Sequence, residues 1–193
     1  MRSEYNIGEL HPKPNPFIER PLDNISTIQF VAVKDDTKSI FLAMYRDYIQ
    51  TLTQYSDYLA SHPQTDDDIR ENYLEDDLLQ SYFICAKDQI IGFIVLQYVD
   101  EKYEVNPPMW YIVEFYIAPE YRGGGYGTRA VEHFLHEFPG DFFYYILRQN
   151  APAKQFWASI TRHFNLRETF RSDVSPGDIS ELELHCFFDK LAL

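Results

Sequence analysis

One stretch in the second half of the chain constrains its fold most strongly, because it joins an apolar strand to a helix through a glycine-rich loop. Residues 110–117 are mainly apolar, and a helical pattern of apolar residues follows at 129–135. The loop between them contains four glycines: Gly123, Gly124, Gly125 and Gly127. Glycines leave backbone N–H groups accessible, and the N-terminus of a helix carries partial positive charge. The stretch therefore predicts a binding site for a phosphorylated ligand.

Two common phosphate-binding motifs do not fit this loop. A P-loop requires a lysine directly after its last glycine, but no lysine occurs between Lys102 and Lys154. A dinucleotide-binding fingerprint matches residues 125–130 letter by letter, yet residues 118–122 already separate the strand from the first glycine of the loop. The next strand, 142–147, also ends without an acidic residue to bind a ribose. The sequence therefore disfavours both motifs.

The pattern that remains is Arg-x-x-Gly-x-Gly, which residues 122–127 fill after the segment Tyr-Ile-Ala-Pro-Glu-Tyr. A second pattern, Asn-x-x-Ala-x-x-Phe-Trp, occupies 150–157 after the strand at 142–147. Together these linked motifs resemble the acetyl-CoA loop and the following segment of the GNAT superfamily of N-acetyltransferases. The resemblance extends from about residue 110 to about residue 163, while the N-terminal half agrees only in its order of elements.

The resemblance implies acetyl-CoA as the cofactor and assigns roles to individual residues. Amides of the glycine loop would hold the diphosphate, Arg122 would stand at the mouth of the loop, and the backbone of Phe115 and Ile117 would pair with the pantetheine arm. Asn150 would contact the cofactor, or would be a turn or cap residue before Pro152. The expected cofactor-binding residues are Phe115, Ile117, Arg122, Gly123, Gly124, Gly125, Tyr126, Gly127, Thr128, Asn150 and Trp157.

Position 157 departs from the family pattern. Many members carry a tyrosine there, which is usually assigned to protonate the leaving thiolate, and the indole of Trp157 cannot do so. Trp157 would either donate a hydrogen bond to the sulfur or pack as a core aromatic beside Phe156. The sequence thus leaves the general acid unassigned, and Tyr144 and Tyr145 cannot be chosen from sequence alone.

Glu114 is the candidate general base, because an amine with a pKa of about 10.4 must lose a proton before it attacks. It is a lone carboxylate within the apolar stretch 110–117, next to the expected cofactor contact, and burial would raise its pKa. The alternative is a strand residue that points to solvent or to a structural partner. Tyr111, expected on the opposite face of the strand, is a weaker candidate for contact with substrate.

The charge of the chain favours a cationic acceptor over nucleic acid. Its formal net charge is −13, and its lysines and arginines are scattered rather than clustered. Many acidic residues lie in a probable helix at 66–79, as a solvated face or as a rim that attracts amines. Cys85 and Cys186 are expected to be free thiols, and no metal site is indicated.

The element order is βααβββαβα with a final strand pair, which predicts an α/β sandwich around a mixed, largely antiparallel sheet. We expect a Pro-rich arm at 1–24 and one domain at 25–193. The longest apolar run, 90–96, is far below the ~20 residues that cross a bilayer, so we expect a cytoplasmic protein that does not bind membranes. Exposed strand edges near the C-terminus and the arm make a homodimer plausible.

Two functions from different classes are open at this point. The first is an N-acetyltransferase that transfers an acetyl group from acetyl-CoA to an amine of a small, cationic molecule, with Glu114 as base. The second is a module that binds CoA without turnover and serves regulation or assembly. Trp157 favours the second function and Glu114 favours the first.

Overall fold

The computed structural model of the chain describes residues 27–100, 102, 108–172 and 181–187, and these ranges form one central sheet with helices on both faces. The strands are β1 (Ile28–Ala32), β2 (Leu79–Ala86), β3 (Gln89–Val99), β4 (Met109–Ile117), β5 (Phe142–Leu147), β6 (Glu168–Ser172) and β7 (Leu182–Phe187). The helices are α1 (Lys38–Leu52), α2 (Asp57–Ser61), α3 (Asp66–Tyr73), α4 (Tyr126–Glu137) and α5 (Ala151–His163). The predicted arm at 1–24 lies outside the described residues.

The sheet has the strand order β1-β2-β3-β4-β5-β7-β6. Its first four strands form an antiparallel meander, and β7 pairs antiparallel with both β5 and β6. Among the described strands, β4 and β5 form the parallel pair, which α4 connects. The predicted fold class, a mixed and largely antiparallel sheet flanked by helices, is confirmed.

A hydrophobic core lies on each face of the sheet. Phe134, Trp157 and Ile160 from α4 and α5 belong to one core, and Phe41, Tyr45 and Ile69 from α1 and α3 belong to the other. The apolar positions of each helix recur at three- and four-residue spacing, as expected for helices that bury a single side. The sheet is thereby enclosed on both sides, and β4 lies at its centre.

The parallel strands β4 and β5 separate soon after they meet. Their pairing covers only residues 110–112 of β4 and 142–144 of β5. On the other side of β4, pairing with β3 continues to Ile117, and the N–H of Ala118 donates to the carbonyl of Ile91 at 2.9 Å. Since backbone groups alternate in direction along an antiparallel strand, those of Phe115 and Ile117 face away from β3 and into the gap. The gap exposes an unpaired strand edge inside the molecule.

A β-bulge in β4 changes which side chains share a face. Val95 of β3 pairs with Glu114 and Leu96 pairs with Ile112, so that Val113 is the extra residue. Ile112 packs in the core with α4 and α5, whereas Val113 packs in the core with α1 and α3. The prediction that Tyr111 and Glu114 lie on opposite faces is therefore wrong, because the bulge interrupts the regular alternation between them.

The predicted elements differ from the structure in the region between β1 and β2. The acidic helix ends at Tyr73 instead of residue 79, and the side chain of Asp76 then accepts a hydrogen bond from the N–H of Leu78 at 2.8 Å, which forms a turn. A short helix, α2, was not predicted. It begins after Ser56, whose hydroxyl accepts from the N–H of Leu59 at 3.1 Å as an N-cap. Near the C-terminus, the sequence predicts a strand at 166–170, and β6 begins two residues later, at Glu168.

Candidate active site

The glycine loop forms a tight turn that leads directly into α4. Gly123 and Gly125 have φ values of +78° and +77°, in the left-handed region that favours glycine, and Gly125 is the N-cap of the helix. The carbonyl of Gly124 accepts a hydrogen bond from Nη2 of Arg129 at 2.8 Å. Because the peptide is planar and trans, the N–H of Gly125 points away from Arg129. The loop therefore presents an amide at the positive end of a helix, as an anion site requires.

Arg129 is a component of this loop that the sequence reasoning missed. Its side chain is buried, its guanidinium lies 5.0 Å from the centre of the Tyr126 ring, and its Nη1 has no hydrogen-bond partner among the described residues. The signal was available, since an arginine in the first turn of a helix that follows a phosphate loop adds positive charge. Arg129 thus holds the loop in shape and contributes a cation beneath it.

Arg122 binds the loop back to β4. Its Nε donates to the carbonyl of Ile117 at 2.8 Å, and its guanidinium lies 5.5 Å from the centre of the Tyr116 ring. The carbonyl of Ile117 is one of the backbone groups that face the gap between β4 and β5. Phe115 and Ile117 are the two residues expected to pair with a pantetheine arm. The carbonyl of Ile117 is already bonded to Arg122, whereas the backbone groups of Phe115 take no part in this contact.

A cleft of about 610 Å³ runs along the gap from the glycine loop to the start of α5. Nine of the eleven expected cofactor-binding residues line it: Phe115, Ile117, Arg122, Gly123, Gly125, Gly127, Thr128, Asn150 and Trp157. Gly124 and Tyr126 are not part of this wall. The Tyr126 ring packs against Tyr121 with 6.1 Å between ring centres. Gly127 also has a packing role, since a Cβ there would lie 2.9 Å from the Phe156 ring.

Asn150 and Trp157 are both placed by the start of α5. The Oδ1 of Asn150 accepts from the N–H of Ala153 at 3.1 Å, so the residue is the N-cap of the helix. The Trp157 ring is buried and stacks on Tyr144 with 4.1 Å between ring centres. The cap and core interpretations thus describe these residues correctly, and both residues also border the cleft.

A second cavity, of about 440 Å³, lies between α1, α2, α3 and β4 and meets the cleft. We call it the acceptor cavity. Residues common to the two walls are Tyr48, Leu52, Phe115, Asn150, Ala153 and Trp157. Tyr111 lines the acceptor cavity, as its predicted role in substrate contact requires, and its ring stacks on Phe143 at 4.7 Å. The cleft and the acceptor cavity therefore meet beside Phe115.

Glu114 lies in the wall of the acceptor cavity, where three tyrosine hydroxyls donate to its carboxylate. Tyr48 donates to Oε2 at 2.6 Å, and Tyr45 and Tyr73 donate to Oε1 at 3.0 and 3.3 Å. Tyr45 and Tyr48 come from consecutive turns of α1, and Tyr73 ends α3. The Glu114 side chain is partly buried, faces the cavity and has structural partners, and its role as a general base stays a prediction.

The environment of Glu114 sets the protonation of the whole group. Burial raises the pKa of the Glu114 carboxyl above its usual value, although hydrogen bonds from Tyr48, Tyr45 and Tyr73 oppose the increase. Burial and then the charge of Glu114 raise the pKa of the Tyr45 and Tyr48 hydroxyls well above the usual value. The hydroxyls therefore remain protonated donors, while the carboxylate is a stronger proton acceptor than an exposed glutamate.

The family of the chain follows from its sequence match over this region. Residues 41–160, which carry most of α1, the bulged strand β4, the glycine loop and most of α5, match the sequence model of the acetyltransferase (GNAT) family. The chain belongs to the GNAT family. No curated protein sequence matches this GNAT chain.

Solved structures of other GNAT proteins share the fold. An acetyltransferase from Thermus thermophilus is 14% identical, with a TM-score of 0.58 over 84% of this chain and 97% of that one. Spermidine N-acetyltransferase from Vibrio cholerae, in complex with CoA and spermine, is 11% identical, with a TM-score of 0.57 over 84% and 95%. The microcin C7 self immunity acetyltransferase MccE, in complex with acetyl-CoA and AMP, is 11% identical, with a TM-score of 0.59 over 83% and 91%.

The described ranges of the chain contain neither a metal cluster nor a membrane span. No group of three or more His, Cys, Asp or Glu side chains in these ranges is placed to hold a metal ion. No helix in the same ranges is long and apolar enough to cross a membrane. Cys85 and Cys186 are not joined in a disulfide.

Proposed function

We propose that this GNAT protein is an enzyme that transfers an acetyl group from acetyl-CoA to an amine of a small molecule by direct attack on the thioester. The observation that carries the proposal is the meeting of the cleft and the acceptor cavity at Phe115, with the Glu114 carboxylate next to that point. A site for direct transfer needs a cofactor route, an acceptor route and a proton acceptor at one position.

The cleft fits the parts of acetyl-CoA in order. Amides of the glycine loop, with Arg129 beneath them, suit the diphosphate, and the unpaired edge of β4 at Phe115 suits the amide-rich pantetheine arm. Acetyl-CoA supplies an acyl thioester, whose C–S bond breaks as the amine nitrogen forms the new C–N bond. The N–H of Phe115 is suited to donate to the thioester oxygen, and a donor of this kind is worth about 3 kcal/mol.

Glu114 accepts the proton that the ammonium form of the acceptor must lose, and Tyr48 conducts it. Both oxygens of Glu114 already accept from tyrosine hydroxyls, and Tyr48 is the donor that borders the cleft as well as the acceptor cavity. The proton passes from the ammonium to the Tyr48 oxygen while the Tyr48 proton passes to Oε2. Tyr48 is unchanged afterwards, and Glu114 returns its proton to solvent.

The departing thiolate receives its proton from solvent in this proposal. Trp157 is packed between Tyr144 and Phe115, and its indole cannot act as an acid at neutral pH. Tyr144 and Tyr145 line the acceptor cavity and not the cleft. Since a thiol with a pKa near 8.5 leaves as the anion at a cost of only about 2 kcal/mol at pH 7, a protein acid is dispensable.

The second candidate is a module that binds CoA without turnover, and the packing of Trp157 at the tyrosine position of the family favours it. Release of free thiol from acetyl-CoA, measured with a panel of small amines and matched by mass spectrometry of the products, separates the two functions. Equal amounts of thiol and acetylated amine support the enzyme. Binding of acetyl-CoA without release above background would establish the binding module instead.

The cytoplasmic location and the homodimer that we expect from the sequence stay predictions.

A further inference from the structure

The wall of the acceptor cavity carries little charge for a chain with a net charge of −13. Among the described residues that line it, Glu114 alone has a charged side chain. Asp47 and Glu120 line a separate surface pocket beside Tyr116, and Asp57 and Glu181 line another pocket beside Ser56. The overall acidity of the chain therefore does not extend into the acceptor cavity.

The rest of the described wall is mainly aromatic and aliphatic, and Ser56, Gln64 and Asn150 are its uncharged polar residues besides the tyrosines. Seven tyrosines contribute to it: Tyr45, Tyr48, Tyr58, Tyr73, Tyr111, Tyr144 and Tyr145. Ile49, Leu52, Leu59 and Val113 fill positions between them. The hydroxyls of Tyr45, Tyr48 and Tyr73 point to Glu114, so three of the polar groups of this wall are gathered at the carboxylate. An apolar body would contact rings and methyl groups elsewhere in the cavity.

From this wall we infer that the acceptor is a primary amine with one positive charge on an apolar or aromatic body. This inference rests on the proposed acetyl transfer and narrows its substrate. Glu114 and the surrounding tyrosine rings stabilise one ammonium group beside Phe115 by charge pairing and cation–π contact. The apolar remainder of the acceptor gains by leaving water.

A polyamine fits this wall poorly. Spermine, present in the Vibrio cholerae structure, carries several ammonium groups. A second ammonium in the acceptor cavity would lose its water with no opposite charge among the described lining residues, and burial of an unpaired charge is strongly unfavourable. The acceptor cavity therefore selects against diamines, including those of suitable size, because of their second positive charge.

Gln64 offers a position at which this selectivity can be reversed. It lines the acceptor cavity, and its buried Oε1 has no hydrogen-bond partner among the described residues. Replacement by glutamate keeps the shape of the side chain and adds one negative charge to the wall. Gln155, exposed on α5 and absent from the wall, allows the same change of charge elsewhere.

The test compares hexylamine with cadaverine, which have equal numbers of heavy atoms and differ by a terminal methyl or ammonium group. We expect kcat/KM for hexylamine to exceed that for cadaverine by at least about 100-fold, with phenethylamine also accepted. Gln64→Glu should reduce this ratio by at least about tenfold, and Gln155→Glu should leave it unchanged. Equal or greater activity with cadaverine in the wild type would overturn the inference while leaving acetyl transfer intact.

Failure of acetyl transfer itself has a different signature. If none of the amines releases thiol, the proposed function fails, and calorimetry of hexylamine and cadaverine with the CoA-loaded protein still tests the cavity. Binding of hexylamine about 100-fold more tightly than cadaverine would support the same inference for a protein that binds amines without turnover. Preference for cadaverine, or binding of neither amine, would end it.

Discussion

The hydroxyl of Tyr48 lies 2.6 Å from Oε2 of Glu114, and the Tyr48 side chain borders both the cleft and the acceptor cavity. Tyr45 and Tyr73 donate to the other oxygen of the same carboxylate but line the acceptor cavity alone. Three chemically identical donors thus differ in position. Because Tyr48 also borders the cleft, we assign it a role in proton transfer. We assign Tyr45 and Tyr73 a role in holding Glu114 in place.

We expect Tyr48→Phe to lower kcat by about 100-fold, because the substitution removes the hydroxyl that conducts the proton to Glu114. Tyr45→Phe is the matched control, since it removes a hydrogen bond to the same carboxylate, and should lower kcat by no more than about tenfold. Steady-state kinetics of both variants at saturating acetyl-CoA provide the comparison. Equal losses in the two variants would reduce Tyr48 to a positioning residue.

The same variants should shift the dependence of kcat/KM on pH. Hydrogen bonds from the tyrosines lower the pKa of Glu114 against the larger effect of burial, so loss of one donor raises that pKa further. A base with a higher pKa becomes protonated at higher pH, and the acidic limb of the profile should move toward higher pH in Tyr45→Phe. A limb that stays in place would show that another group titrates there.

Glu114 should also make the stability of the protein depend on pH. Its pKa is raised in the folded state, so the folded state binds more protons than the unfolded state between the two pKa values, and stability falls as pH rises through that window. Glu114→Gln lacks this term. The melting temperature of the variant minus that of the wild type should therefore increase from about pH 4 to about pH 8. A difference that stays constant across this range would contradict the assignment.

Gly125 is expected to matter for both backbone shape and cofactor affinity. Gly125→Ala places a Cβ at φ +77° and 3.4 Å from Nη2 of Arg129, so it should destabilise the fold by about 1 kcal/mol and weaken acetyl-CoA binding by about tenfold. Gly140, with φ +114° and open space around it, lies outside the cleft. Gly140→Ala should destabilise the fold without changing the Kd measured by calorimetry. Equal Kd values for both variants would remove the glycine loop from the cofactor site.

Trp157 is expected to contribute to stability more than to catalysis. Trp157→Phe shortens the ring that stacks on Tyr144, and should lower the free energy of unfolding by about 1 to 2 kcal/mol in urea titrations. Turnover should change by less than about threefold, since indole is not an acid at neutral pH. A loss of about 100-fold in kcat would instead assign the indole N–H to the leaving sulfur.

Much of this arrangement could be predicted from sequence because local patterns determine it. The glycine loop, the order of helices and strands along the chain, and the helix cap at Asn150 each depend on residues that are close together in the sequence. The tyrosine group around Glu114 could not be predicted in the same way. Its members come from residues 45, 48, 73 and 114, which only tertiary packing brings together.

The bulge at Val113 shows a second limit of sequence reasoning. Strict alternation along β4 assigned Tyr111 and Glu114 to opposite faces, and nothing in the local sequence marks the extra residue. Pairing with β3 determines it, since Val95 and Leu96 must meet Glu114 and Ile112. The shape of the acceptor cavity depends on this irregularity, because the bulge places Tyr111 in the same wall as the Glu114 carboxylate.

The most direct measurement of the central claim is the turnover of Glu114→Gln with saturating acetyl-CoA and hexylamine. Since Glu114 is assigned as the proton acceptor, the variant should lose at least about 100-fold in kcat at pH 7 while its Kd for acetyl-CoA stays within about threefold of wild type. Glu120→Gln, on the exposed turn before the glycine loop, should retain wild-type turnover. Wild-type kcat in Glu114→Gln would contradict the account and assign the proton to water or to another residue.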